Sequence, residues 1–272
     1  MHAAIDIGNT YAKIGFFEEN QLLEVHRSLE FSKIEELILL NNVKSIIISS
    51  VTKSHSELEA IFNKIAINKL FLSPETPVPI KKHYETPQTL GADRLAGAVG
   101  ANYMFPNQNV LIIDMGTAIK YDYVSKVGAF EGGLISLGMR IRFEALHTFT
   151  KRLPLVEAEG IPDLIGKNTK ACIQSGVINA IVAEANGMIE NYLKLGICQV
   201  ILCGGDASFF ESQIKNCLSR FRLHRIRCKC VFFVFAVKIL CSSCRFIRFW
   251  FYLVALPLLP SPFNKNVVPI RN

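Results

Sequence analysis

Half of the 272 residues are apolar and the formal net charge is +7, which excludes a chain disordered throughout and leaves room for one large domain or two ordinary ones. The charge is lopsided. Residues 212–272 hold eleven Lys or Arg and no acid, so residues 1–211 carry 19 basic against 23 acidic side chains, and an anionic partner is suggested by the tail alone.

In chain order, AAIDIGNTYAKIGFF over residues 3–17 reads as two β-rich runs around a turn at Gly8 and Asn9, a hairpin in pattern. No charged-then-apolar leader precedes it, which points to a cytoplasmic protein. Ser32 with Glu35 makes a capping box that predicts a helix, SIIISSV reads as a buried strand, and Ser54 with Glu57 opens a second helix carrying Leu58, Ile61, Phe62 and Ile65 on one face. LFLS is a short strand. Pro74, Pro77, Pro79 and Pro87 then mark a long connection, and connections of that length are often functional. GADRLAGAVGANYM predicts a tightly packed helix with Asp93 and Arg94 in its first turn.

The pattern then restarts. VLIIDMG, IKYDYV and FEGGLI read as strands, residues 139–150 and 170–194 as helices, and QVILCGG as a strand. The order of the first half is repeated, so the economical fold is α/β with two similar lobes, residues 1–106 and 107–216, and a ligand cleft between them. Cys172, Cys198 and Cys203 sit in apolar settings, which suits buried reduced thiols.

Residues 217–272 form an atypical basic tail rich in Cys and Phe. Its apolar runs, VFFVFAV and FWFYLVALPLL, fall short of the ~20 residues that span a bilayer, so no membrane segment is expected. Cys228, Cys230, Cys241 and Cys244 offer a four-thiolate Zn²⁺ site and Arg220 to Arg227 a nucleic-acid contact. Against both stands a tail with no consistent folding pattern, as from a change of reading frame, and no nucleic-acid partner is assigned.

Strands that end in Asp-x-Gly carry the chemistry. A Gly after a strand-terminal Asp lets backbone N–H groups approach phosphate oxygens, while the carboxylate can hold hydrated Mg²⁺. Asp6, Gly8, Asn9, Thr10 and Lys13 have that arrangement, and Asp114, Gly116 and Thr117 repeat it. One copy alone reads equally well as an ordinary hairpin. Neither GxxxxGK[ST] nor GxGxxG after a strand is present, which disfavours P-loop and dinucleotide-binding enzymes.

The paired turns resemble the phosphate loops of the actin-like ATPase and sugar kinase (ribonuclease H-like) superfamily. Within it, DIGNTYAKIG, YETPQTLGADR, IDMGTAIKYD, FEGGLI, ALHTFTKRLP, IGKNTKACIQSG and ILCGGDASFF resemble, in this order, the motifs of type III pantothenate kinase, which phosphorylates pantothenate with ATP in coenzyme A synthesis. The resemblance implies that Asp6, Ile7, Gly8, Asn9, Thr10, Tyr11, Ala12, Lys13 and Thr117 contact ATP held with Mg²⁺. It implies that Tyr84, Gly91, Ala92, Asp93, Arg94 and Thr169 contact pantothenate, with Asp93 as general base. Asp114 matches a position that binds a monovalent cation, K⁺ or NH₄⁺, and Thr169 one that acts across a homodimer interface. On local sequence alone, the favoured reading of Asp93 and Arg94 is an acidic first turn and a surface cation, and Thr169 reads as a helix N-cap; the surrounding motifs reverse the first of these.

Three departures stand out. Lys120 replaces the usual Thr, Leu137 stands where Pro-Gly is usual, and the second lobe ends atypically after about Asn216. The same superfamily branch includes a Bvg accessory factor linked to transcription, so a non-enzymatic relative and an inactive kinase with a damaged end are the alternatives.

Overall fold

The computed structural model describes residues 1–8, 11–18, 21–30, 32–197, 199–215 and the two-residue strand 218–219. Asn9, Thr10, Cys198 and the tail's cysteine and arginine clusters lie outside the described residues.

Two sheets with one shared plan make up the architecture. The first contains β1 (His2–Ile7), β2 (Ala12–Glu18), β3 (Gln21–Leu29), β4 (Ser45–Ser50) and β5 (Asn68–Phe71) in the order β3-β2-β1-β4-β5. β1, β2 and β3 are antiparallel, while β4 and β5 run parallel to β1. The second contains β6 (Lys81–Lys82), β7 (Val110–Met115), β8 (Ala118–Ser125), β9 (Ala129–Leu137), β10 (Gln199–Cys203) and β11 (Leu218–Ser219), ordered β11-β10-β7-β8-β9-β6. β7, β8, β9, β10 and β11 repeat the places and directions of β1 to β5.

The helices repeat as well. α1 (Ser32–Leu40) crosses from β3 to the parallel β4 as α4 (Met139–Phe149) and α5 (Thr169–Leu193) cross from β9 to β10, and α2 (His55–Phe62) and α6 (Ala207–Phe210) hold the next crossover in each half. Parallel pairs need such connections, and the helices then cover the sheet. All six residues of β7 are buried, which accounts for the unbroken apolar run VLIIDM. One core gathers Ile5, Ile14, Phe16, Ile34, Ile48 and Phe62, the other Ile113, Tyr121, Val177, Ile181, Leu202 and Phe210, each large side chain contributing about 1.5–3 kcal/mol of transfer free energy.

Local signals hold where their chemistry is complete. Ser54 caps α2 through a full capping box, its hydroxyl accepting from Glu57 N while the Ser54 amide donates to the Glu57 carboxylate. Ser32 begins α1 as a helical residue. Asn168, rather than Thr169, caps α5, its Oδ1 accepting from Ala171 N at 2.9 Å. β3 was not anticipated. Its largely exposed QLLEVHRSL is a polar edge strand, and such strands carry little apolar alternation. Cys203 is buried as expected, whereas Cys172 is exposed, with its thiol on Gly166 O.

The proline-rich connection has a positional role. It carries β6, which joins the second sheet at its β9 edge through Lys81 N to Gly128 O and His83 N to Phe130 O, each 2.9 Å. From there the chain enters α3 (Ala92–Met104), which packs on β4 of the first sheet and on β7 and β8 of the second. Its small residues Ala96, Ala98, Gly100 and Ala101 are buried and allow that close approach. Asp93 is thereby carried to the second sheet.

Candidate functional site

The two Asp-x-Gly turns occupy equivalent places. Asp6 is the penultimate residue of β1 and Asp114 of β7, each nearly buried at 8 % exposure. Across the hairpins Asp6 pairs with Lys13 and Asp114 with Lys120, so in each lobe a carboxylate and a lysine share a sheet face. The first turn closes through Gly8 N to Tyr11 O at 3.2 Å; Ile7 and Ala12 are buried beside it and Tyr11 is exposed. The second closes through Gly116 N to Ala118 O at 3.2 Å, with Thr117 exposed.

Glycine backbone crowds around the second turn. A Cβ on Gly204, whose φ is +106°, would lie 2.0 Å from Met115 O, and one on Gly138 would lie 2.0 Å from Gly116 O. Asp206 N donates to Met115 O at 3.0 Å and Gly138 N to Thr117 O at 3.1 Å. The GGD segment is thus folded over the end of β7, where the left-handed conformation of Gly204 has no room for a side chain. Burial, reinforced by Asp114, raises the Asp206 carboxyl above the usual range.

Lys120 joins the predicted residues. Its Nζ donates to Asp93 Oδ2 and lies 3.1 Å from Asp114 Oδ2. The three side chains are 15 % (Lys120), 13 % (Asp93) and 11 % (Asp114) exposed. Asp93 Oδ1 accepts from Arg94 N at 2.9 Å, which fixes the carboxylate at the N-terminal end of α3, where helix and charge favour each other. Two carboxylates predicted from separate motifs therefore share one ammonium.

Behind them lies a buried ion pair. Arg94 donates through Nε to Asp122 Oδ1 at 2.8 Å and brings Nη2 to 2.6 Å from the same oxygen. The guanidinium carbon stands 5.5 Å from the centre of the Phe130 ring and 5.8 Å from that of Tyr84, within cation–π range. Arg94 thus ties together α3, β8, β9 and the segment after β6. Burial works against its charge, but hydrogen bonding and attraction to Asp122 more than offset that, and its pKa rises. Arg94, which the resemblance implies contacts pantothenate, turns its guanidinium on Asp122. What the geometry supports for Arg94 is positioning of Tyr84 and Asp122.

Burial raises the Asp122 carboxyl from the usual 3.8 to about 6, against the pull of the Arg94 hydrogen bond, with Asp114 adding to the rise. At neutral pH the pair is ionised. Between those two values the folded protein binds more protons than the unfolded chain, so this group's stabilisation is present below pH 3.8 and is lost as pH rises through about 6. We expect the wild-type minus Asp122→Asn difference in unfolding free energy, measured in urea, to fall across that window and then level off. A difference that climbs across it would contradict the assignment.

Gly91 caps α3 and Ala92 is buried behind it. Thr169 is exposed in the first turn of α5. Asp122 was missed, since nothing marks IKYDYV as carrying a buried carboxylate except its apolar neighbours. The proximity of Lys120 follows from counting hairpin register outward from the three-residue turn Gly116–Thr117–Ala118, across which Met115 pairs with Ile119 and Asp114 with Lys120.

A family model described as type III pantothenate kinase matches residues 3–191. A type III pantothenate kinase of Phocaeicola vulgatus is 41% identical over 223 residues, covering 79% of this chain and 90% of that protein. One of Cytophaga hutchinsonii is 40% identical over 217 residues, covering 79% and 91%. Among solved structures, a putative 2-dehydro-3-deoxygalactonokinase from Sinorhizobium meliloti superposes with a TM-score of 0.58 at 10% identity, over 89% of this chain and 99% of that one. A conserved putative Baf family transcriptional activator from Campylobacter jejuni gives 0.57 at 18%, with the same coverage. These two likenesses bear on the fold alone, the two-lobed α/β fold of the actin-like ATPase and sugar kinase type. With the relatives' identity and coverage, the repeated Asp-x-Gly hairpins and the GADR helix acquire a family: the chain belongs to the type III pantothenate kinases.

Proposed function

We propose that this protein transfers the γ-phosphoryl group of ATP to the primary hydroxyl of pantothenate, the first step of coenzyme A synthesis. The observation that carries this reading is Asp93, a fixed carboxylate at the start of α3, joined through Lys120 to the Asp114 turn. As the hydroxyl oxygen bonds to phosphorus and the bond to the β-phosphate oxygen breaks, Asp93 takes the hydroxyl proton. ADP leaves with the bond electrons. Asp6 through Lys13 and Thr117 bind the phosphates, and Tyr84, Gly91, Ala92, Arg94 and Thr169 shape the pantothenate side. The lobes divide near residue 106, with β6 crossing over from the first segment to join the sheet of the second.

Mg²⁺ held with ATP would supply positive charge to the phosphate oxygens. Among the described residues no group of three or more His, Cys, Asp or Glu could hold a metal alone. Of the predicted residues, the Asp6 carboxylate at the end of β1 would hold it. A separate monovalent cation at Asp114 does not fit, because the Lys120 ammonium is already there.

A homodimer is supported by Phe149 at the end of α4 and Leu155, Leu164 and Ile165 in the connection to α5, apolar side chains 86 %, 56 %, 78 % and 76 % exposed. Among the described residues no helix is long and apolar enough to cross a membrane, and we assign the protein to the cytoplasm. Relatives about 40% identical carry the kinase name, so the transcription accessory and inactive readings are not favoured. The test is purified full-length protein with ATP, Mg²⁺ and pantothenate. ADP release that depends on pantothenate is expected, and equilibrium binding of both substrates with no product would instead support the accessory role.

A further inference from the structure

We propose that Lys120 supplies from within the chain the single positive charge that Asp114 would otherwise draw from a free monovalent cation, so that phosphoryl transfer by this protein needs neither K⁺ nor NH₄⁺. The inference rests on the kinase reading of the same site.

Register is its first support. The pairing of Asp114 with Lys120 across the β7–β8 hairpin directs both side chains to one face of the sheet. The second is occupancy. The ammonium lies 3.1 Å from Asp114 Oδ2 and donates to Asp93 Oδ2, with Lys120 only 15 % exposed. The third is charge. An ammonium bears the same unit charge as K⁺ and is the chemical equivalent of NH₄⁺ on a four-carbon stem. A free cation placed on Asp114 would face a like charge a few ångströms away in a site largely closed to water, where screening is weak.

The consequence is positional. Two carboxylates brought close without a counter-charge repel, and one of them takes up a proton. Lys120, shared between them, offsets that repulsion and holds Asp93 beside the Asp114 turn. A tethered cation also needs no recruitment from solution, so its occupancy does not vary with salt composition.

The experiment compares wild type, Lys120→Thr and Lys120→Met in choline chloride and in KCl or NH₄Cl at equal ionic strength. Wild-type kcat/KM should change by less than about twofold between the salts, whereas Lys120→Thr should lose roughly tenfold or more in choline, the scale of one charge-assisted hydrogen bond. K⁺ or NH₄⁺ should restore Lys120→Thr, while Lys120→Met, whose apolar stem fills the space, should stay low in every salt. A wild type that itself requires K⁺, or a Lys120→Thr protein fully active in choline, would overturn the proposal.

Thermal unfolding gives a readout independent of turnover. K⁺ should raise the Tm of Lys120→Thr saturably and leave that of wild type unchanged relative to choline, and a saturable K⁺ shift in wild type, abolished by Asp114→Asn, would overturn the proposal. Absence of turnover in every salt, with this melting pattern intact, would count against the kinase reading and leave the tethered cation standing.

Discussion

Asp93→Asn is expected to lower kcat by roughly 10²–10⁴-fold, the usual contribution of a positioned general base, with little change in the KM for pantothenate. The amide keeps the shape of the carboxylate, and its one oxygen retains one of the two donors seen on Asp93, Arg94 N on Oδ1 and Lys120 Nζ on Oδ2, at a helix end where losing the other costs the fold little. It cannot take up the proton of the attacking hydroxyl. Folding should therefore be preserved while turnover falls, and steady-state kinetics beside a urea melt separate the two. Unchanged kcat would remove Asp93 from the role of base. A rise in KM alone would reassign it to substrate binding.

The second large effect is on stability. Asp122→Leu should cost about 3–5 kcal/mol, because it strands the Arg94 guanidinium, 7 % exposed, without its carboxylate. Arg94→Met combined with Asp122→Leu should recover much of that loss, since a buried ion pair and an apolar pair of similar volume differ far less than either differs from a lone buried charge. A double mutant whose loss equals the sum of the single losses would show that the two side chains do not act as a pair. Even if stable, the double mutant is expected to bind pantothenate less well, because Tyr84 loses the cation it faces.

What the sequence disclosed is what short-range chemistry dictates. The β1–β2 and β7–β8 hairpins follow from apolar strands broken by Gly turns, and α2 follows from Ser54 and Glu57, whose reciprocal hydrogen bonds need no distant partner. The repeat of the two halves was legible because strand and helix periods recur in the same order. β3 and β6 were not legible. β3 is a polar edge with little apolar periodicity, and β6 is two lysines whose strand character comes entirely from pairing with Ala129 and Phe130.

Site residues divide in the same way. Asp6, Asp93 and Asp114 stand out through Gly neighbours and strand or helix ends, features written within a few residues. The Arg94–Asp122 pair depends on how α3 lies against β8, and pairwise packing of that kind leaves no trace in local spacing. Lys120 illustrates the limit most clearly. Read along the chain it is a departure from a family pattern, read across the hairpin it is the partner of Asp114, and through the packing of α3 it is the partner of Asp93 as well.

The proposed chemistry is phosphoryl transfer to an alcohol, directed jointly by a carboxylate on α3 and the β7–β8 turn. It is tested most directly by ³¹P NMR of the full-length protein mixed with ATP, Mg²⁺ and pantothenate. A new phosphate-monoester signal growing in step with ADP, and nearly absent with Asp93→Asn, is the predicted result. ATP that persists unchanged, or is hydrolysed to inorganic phosphate at the same rate with and without pantothenate, would contradict it.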